Sequence, residues 1–188
     1  ATLPPELAAV GTQTIDEDSL SVIPIDFSDS DSDSDDLNFS INSLPGINWE
    51  TLGISILNDS TAILNLQAAE NETGNALITV SVTDELDQSD EIQFQVFVQN
   101  VNDPPILTSI GDQEVNEDNS INIPLQYDDV DTDLDSLTFD LTADPVDGLD
   151  TYFFDGYELQ LQPTSDFFGG ITVTVNVNDG EFDVSQNF

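Results

Sequence analysis

The sequence predicts an all-β chain folded as two tandem antiparallel β-sandwiches, about seven strands each. Three observations lead there. Apolar and polar residues alternate with a period of two over strand length, again and again. No stretch joins a capping residue to an amphipathic helical period. The chain also repeats itself: at an offset of 100 residues, Pro4–Phe39 matches Pro104–Phe139 with 15 identities in 36 positions. A length of 188 residues suits two small domains.

In the first copy, "SVIPID" (21–26) alternates from Val22 to Asp26 and reads as a strand. The acid-rich stretch that follows, "FSDSDSDSDDLNF", separates it from "LNFSIN" (37–42). Three further strands are "TAILNLQ" (61–67), "ALITVSV" (76–82) and "IQFQVFV" (92–98). The second copy offers "INIPL" (121–125), "LTFDL" (137–141), "YELQLQ" (157–162) and "ITVTVNV" (171–177). Pro4–Pro5, Asn102-Asp103-Pro104-Pro105, Pro145 and Gly169–Gly170 punctuate them. The boundary falls within "QNVNDPP", giving repeats over 1–102 and 103–188. Phe188 aligns with Phe94, so the last strand of the second repeat is expected to be incomplete. Either a repeat is cut at this point, or a neighbouring subunit donates the strand and builds a fibre.

The repeat bears on the acidic stretch. Asp29, Asp31, Asp33 and Asp35 fall on Asp129, Asp131, Asp133 and Asp135, while the residues between them change. A run of like charge is ordinarily a hydrated face. A hydrated face has no need to keep its acids in register with flanking apolar residues, so the pattern points to ligation. Calcium takes six to eight oxygen ligands, and carboxylates at alternate positions of a turn, with the carbonyls between them, supply such a set.

Composition narrows the partners. There are 39 acidic residues and no Lys, Arg or His, for a formal net charge of −39. This charge repels phosphate, which argues against nucleic acid and anionic lipid, and it points to cations as partners. Without Cys there is neither disulfide nor thiolate chemistry. A serine nucleophile has no ordinary activating base, zinc has no His or Cys, and close acid pairs arise by chance among so many acids; no enzyme is expected. No apolar run is long enough to insert in a membrane. Asn38, Asn58 and Asn71 begin N-glycosylation triplets, which an Asn- and Ser-rich chain also yields by chance.

The linker "NVNDPP", the openings "TIDE" and "EVNE", and the acidic turn before Leu-x-Phe resemble cadherin-like repeats, and the bacterial cadherin-like or Ig-like tandem repeats of large extracellular adhesins. The resemblance implies an Ig-like/cadherin-like sandwich with calcium ions at the joint between repeats. Carried over by motif, it implies Glu17, Asn100, Asn102, Asp103, Asp129, Asp131, Asp133 and Asp179 as ligands, with Glu70 or its neighbour Glu72 as the acid before the penultimate strand. Asp166 holds the corresponding place in the second copy. It further implies an N-terminal set of Asp29, Asp31, Asp33 and Asp84, weakened because "ATLPP" lacks the Asn and Asp of "NVNDPP".

The expected function is thus a calcium-rigidified extracellular spacer or adhesion repeat, contacting neighbouring repeats of its own chain. Two alternatives stand beside it: a calcium-dependent carbohydrate-binding module using Tyr152 or Trp49, and a fibre subunit that self-associates by strand exchange. Polysaccharide is the partner in the first alternative. For "TYFFDGY" (151–157), alternation favours core packing over an exposed sugar face, with a tight turn at Gly156.

Overall fold

The computed structural model describes residues 3–44 and 46–188, apart from the side chain of Asp35. The chain forms two compact units, Ala1–Val101 and Asn102–Phe188. Among the described residues, both are built of strands and short 3₁₀ turns.

Unit 1 has strands β1 (Glu6–Leu7), β2 (Gln13–Asp16), β3 (Ser21–Ser28), β4 (Asn38–Ser43), β5 (Trp49–Asn58), β6 (Thr61–Ala68), β7 (Gly74–Thr83) and β8 (Ser89–Gln99). They make two four-stranded sheets, ordered β1-β3-β6-β5 and β2-β8-β7-β4. Alternation decides what lies between the sheets. Ala62, Leu64, Leu66 and Ala68 of β6 face Ile78, Val80 and Val82 of β7 and Val96 and Val98 of β8 in a single apolar core. Their polar neighbours point outward, as one-sided burial of a strand requires.

One pairing departs from the all-antiparallel expectation. β1 pairs with β3 in one sheet, and the chain then crosses so that β2 pairs parallel to β8 in the other. A first strand that changes sheets without reversing direction meets the last strand running the same way, and no hairpin is needed.

Unit 2 has β9 (Ile106–Leu107), β10 (Ile121–Pro124), β11 (Tyr127–Asp128), β12 (Thr138–Asp144), β13 (Leu149–Asp155), β14 (Glu158–Pro163), β15 (Thr172–Asn178) and β16 (Asp183–Asn187). Its ladders are β9-β11, β10-β14-β13 and β12-β15-β16. The counterpart of β3 is divided into β10 and β11, yet its hydrogen bonds continue: the Leu125 N–H donates to the Tyr157 carbonyl at 2.7 Å, and the Thr108 N–H to the Gln126 carbonyl at 2.8 Å. Residues 113–116, the counterpart of β2, form no strand.

The aromatic run corrects the core-packing expectation. Tyr152, Phe153 and Tyr157 are 44, 62 and 56% exposed, and Phe154 alone of this run packs on the core. Gly156 does turn the chain, with φ +56° at the first of two loop residues between paired Asp155 and Glu158, as a tight hairpin requires. Trp49 is half-buried against the core of unit 1, its indole N–H donating to Ser43 Oγ at 3.0 Å.

Candidate metal sites

Strand register places the acids in each unit. Asn38 pairs with Thr83, and Thr83 with Ser89, so the acidic turn Asp29–Asp36 and the β7–β8 hairpin carrying Asp84 share one end of unit 1. Gly74 pairs with Val98, and Asp16 with Gln99, so Glu17, the Glu70–Glu72 turn and Asn100 lie at the opposite end. In unit 2, Thr138 pairs with Asn178, which brings the Asp129–Ser136 turn to the same end as Asp179.

The two acidic turns are built alike. Asp29 Oδ1 accepts the N–H groups of Asp31 (2.9 Å) and Ser32 (3.1 Å). Asp129 Oδ1 accepts those of Asp131 (2.9 Å) and Thr132 (2.7 Å). An aspartate that folds the following backbone onto its own oxygen is a turn former, and the serine and threonine in these places need supply only an amide. The turn also takes up the chain entering the unit: Asp131 Oδ2 accepts the Asp103 N–H at 2.6 Å, and both oxygens of Asp31 accept the Leu3 N–H at 3.3 Å. Asp33 and Asp133 are exposed and precede the 3₁₀ turns, their carbonyls accepting from Asp36 and Ser136. The side chain of Asp35 lies outside the described residues.

The hairpin acids are likewise paired. Asp179 Oδ1 accepts the N–H groups of Glu181 (2.7 Å) and Phe182 (2.6 Å), and its Oδ2 accepts the Asn102 amide at 2.8 Å. The Phe182 N–H is the main cause holding this carboxyl below the ordinary carboxylate value. Asp84 Oδ1 accepts from Leu86 and Gln88, both at 2.8 Å, but its Oδ2 is met by the Gln88 side-chain amide at 3.1 Å. Gln88 thereby does in unit 1 what Asn102 does in unit 2. Sequence reasoning missed this substitution, because the amide arrives from the hairpin instead of the linker.

At the far end of unit 1, Glu17 is 1% exposed. Its N–H donates to the Gln99 carbonyl at 3.1 Å, and its Oε1 accepts the Val101 N–H at 3.0 Å. Asn100 and Glu70 are exposed, and Glu72 accepts the Asn48 amide at 3.0 Å.

Three buried side-chain oxygens have no hydrogen-bond partner among the described residues: Glu17 Oε2, Asp29 Oδ2 and Asp129 Oδ2. A buried carboxylate oxygen without a donor costs about 1–3 kcal/mol or more. In each case the other oxygen is held by backbone amides, which fixes the direction of the orphan. The Asp31 N–H is the leading cause that keeps the Asp29 carboxyl below its ordinary value, so it remains an anion. These are hard, oriented oxygen donors of the kind calcium takes. No group of three or more acidic side chains converges to hold a metal among the described residues. Any ion there would complete its shell from backbone carbonyls, Asn amides and water. No helix of the described residues is long and apolar enough to cross a membrane.

No curated protein sequence matches the chain. The bacterial Ig domain family matches residues 102–187. Among solved structures, extracellular cadherin domains 3–6 of protocadherin gamma B2 align over 98% of this chain and 45% of that one, with 14% identity and a TM-score of 0.53. The human desmocollin-1 ectodomain aligns over 100% and 36%, at 15% identity and a TM-score of 0.46. Titin domains Z1Z2 in complex with telethonin align over 100% and 95%, at 14% identity and a TM-score of 0.44. The chain thus spans less than half of both cadherin ectodomains. At such identities the likeness concerns fold alone, and it agrees with the sandwich topology: residues 102–187 match the bacterial Ig domain family, and the chain has a cadherin-like, Ig-like β-sandwich fold.

Proposed function

We propose that the chain is a calcium-rigidified spacer or adhesion repeat of an extracellular bacterial protein. The observation that carries this reading is the set of three buried, unpartnered carboxylate oxygens on Glu17, Asp29 and Asp129. All three belong to the acids that the repeat and its family resemblance single out. Calcium supplies a divalent charge that neutralises such oxygens and draws carbonyls around them. In unit 2, Asp129 would hold the ion, and Asp131, Asp133, Asp179, Asn102 and Asp103 would close on it only with calcium present, since no three acids converge among the described residues without it. In unit 1, Glu17 would do so with Asn100 and one of Glu70 and Glu72, and Asp29 with Asp31 and Asp33. Asp84 and Asp179 contribute less, their carboxylates being already satisfied.

The stiffening follows from how the connecting chain is held. Gln99 and Val101 are tied to Glu17, and Asn102 and Asp103 to Asp179 and Asp131. Each of these acids lies in a chain with no basic side chain to offset it, and calcium bound on either side of the connecting segment would supply that charge. Small-angle scattering with and without calcium tests this. A calcium-selective narrowing of the spread of chain dimensions supports a spacer, and an unchanged spread rejects it.

A second reading has its own support. Rings of Tyr157, Tyr127, Phe139, Phe154 and Tyr152 follow one another at centroid distances of 4.9, 4.8, 5.4 and 5.9 Å, and both end rings are exposed. Exposed aromatic faces suit a sugar ring. Retention on a polysaccharide column that is lost with Tyr152→Ala would favour this carbohydrate-binding alternative; passage without retention would remove it.

A further inference from the structure

We propose that the outward face of the β10-β14-β13 sheet of unit 2 binds a sugar carrying a protonated amine, as in a polymer of 2-amino-2-deoxy hexose. A pocket of about 180 Å³ lies on this face, lined by Asn122, Phe153, Asp155, Glu158 and Gln160. Strand register sets these side chains in two adjacent rows. Phe153 pairs with Gln160 and Gln160 with Asn122, while Asp155 pairs with Glu158 and Glu158 with Pro124. All six residues are exposed, Phe153 to 62%. The residues that alternate with them on β10 and β14, Ile123, Leu159 and Leu161, fill the core.

Unit 1 shows that the fold does not require this face. In the same register its rows read Gly53–Asn65–Val22 and Ser55–Ile63–Pro24, with no ring and no charge. Its inward residues at these strands are Ile23, Leu64 and Leu66, so the two units keep the same apolar inner surface and differ on the outer one. The difference carries a cost. A ring left in water forgoes its burial, and two carboxylates directly opposite each other on paired strands repel. The chain has no Lys, Arg or His to offset that pair. A positive ligand removes the repulsion, and the face of a phenyl ring attracts a cation.

The amides distinguish a sugar from a bare cation. Gln160 Nε2 donates to Asn122 Oδ1 at 3.0 Å, which leaves the Asn122 amide as a donor and Gln160 Oε1 as an acceptor for a ligand. A lysine or arginine head group only donates. Sugar hydroxyls donate and accept, and the C–H face of a sugar ring packs on a phenyl ring. An amino sugar thus uses all five lining residues. The site is separate from the row of rings that ends at Tyr152 and Tyr157: Tyr152 pairs with the core residue Leu161, so it lies on the other face of β13 from Phe153.

The test titrates a glucosamine trisaccharide into the full chain at about pH 6, where the sugar amines are protonated. Nuclear magnetic resonance follows the side-chain amide signals of Asn122 and Gln160. The expected result is a saturable shift of both, with affinity about tenfold lower when the amines are acetylated. Phe153→Ala and Asp155→Asn, both at exposed positions, should each weaken binding about fivefold, and Tyr152→Ala should leave it unchanged. All three tyrosines lie in unit 2 and the single tryptophan in unit 1, so near-ultraviolet tyrosine dichroism and Trp49 fluorescence report the units separately. An unchanged tyrosine-reported melt shows that Phe153→Ala and Asp155→Asn keep their fold. Trilysine, of the same net charge as the trisaccharide, should not saturate either signal. No saturable shift with the parent, equal affinity for the acetylated sugar or for trilysine, or undiminished affinity in Phe153→Ala would each overturn the proposal.

Discussion

Replacing Asp129 with Asn separates the two roles of this residue. Its Oδ1 accepts two backbone N–H groups and shapes the acidic turn, while its Oδ2 is buried without a donor. Asparagine keeps the first oxygen and replaces the second with an uncharged amide. In chelator the variant should melt no lower than the parent, since a buried anionic oxygen has been removed from a chain of net charge −39. In calcium the outcome should invert. At a calcium concentration 100-fold above the dissociation constant, the parent gains about 2.7 kcal/mol, or roughly 10–20 °C for a domain of 60–100 residues. A site weakened tenfold forfeits about 1.4 kcal/mol of that gain, and the variant's calcium-induced rise should be about 6–11 °C smaller. Tyrosine dichroism follows unit 2 during melts in CaCl₂, with MgCl₂ and NaCl at matched ionic strength as controls. Equal gains for parent and variant, or equal gains from all three salts, would refute the reasoning.

Three other predictions follow from the same contacts. Asp84→Ala removes the acceptor for Leu86, Gln88 and the Gln88 amide, and should cost about 1–3 kcal/mol in chelator by the Trp49-reported melt; Asp84→Asn, which keeps Oδ1, should lose much less and retain the calcium response. Gly46→Ala would set a Cβ 2.6 Å from the Asn75 backbone carbonyl at φ +153° and should cost about 1–3 kcal/mol, whereas Gly11→Ala, with nothing within 4 Å, should be nearly neutral in the same urea titration. The carboxyls of Asp29 and Asp179 are held below 3.8 in the folded chain, so their contribution is present above that value and is lost as pH falls through the lower folded value. Repulsion among the 39 acids eases over the pH range above this. The melting temperature in chelator should therefore rise from pH 7 to about 5 and fall below about 4, and Asp179→Asn should blunt the acid-side fall in the tyrosine signal.

The core strands were legible because burial on one face writes itself as alternation. Val80, Val82, Leu64 and Leu66 sit where their spacing put them, fully buried. β5 escaped because Gly53 interrupts the pattern and bulges at Glu50 and Leu57 shift the phase, leaving Leu57 61% exposed. β13 was recognised as aromatic but assigned to the core; its Tyr152 and Phe153 are instead exposed, with Tyr152 stacked edge-on against Phe154. Strands of two residues, such as β1 and β9, carry too few residues to show a period.

The acids were legible as a set, through the repeat, and much less so one by one. Sequence cannot tell which oxygen of an aspartate caps a turn and which is left over; that depends on backbone amides folded back from two and three residues ahead. It was also silent on Gln88, whose amide saturates Asp84, and on Val101, whose N–H pins Glu17 so that Oε2 faces inward. Asp90, which accepts the Leu7 N–H at 2.8 Å and anchors the first strand, has no signature beyond being one acid among many.

Calorimetric titration of calcium into the parent chain and into the triple variant Glu17→Gln, Asp29→Asn, Asp129→Asn tests the central claim most directly. The parent should show saturable binding with dissociation constants on the order of 10⁻⁴ to 10⁻³ M, as in extracellular calcium modules, and equimolar magnesium should not displace it. The triple variant should show no saturable heat. Saturable binding that survives in the variant would place the ions elsewhere, and a parent that gives only unsaturable heat, matched by magnesium, would show that its acids merely gather counterions.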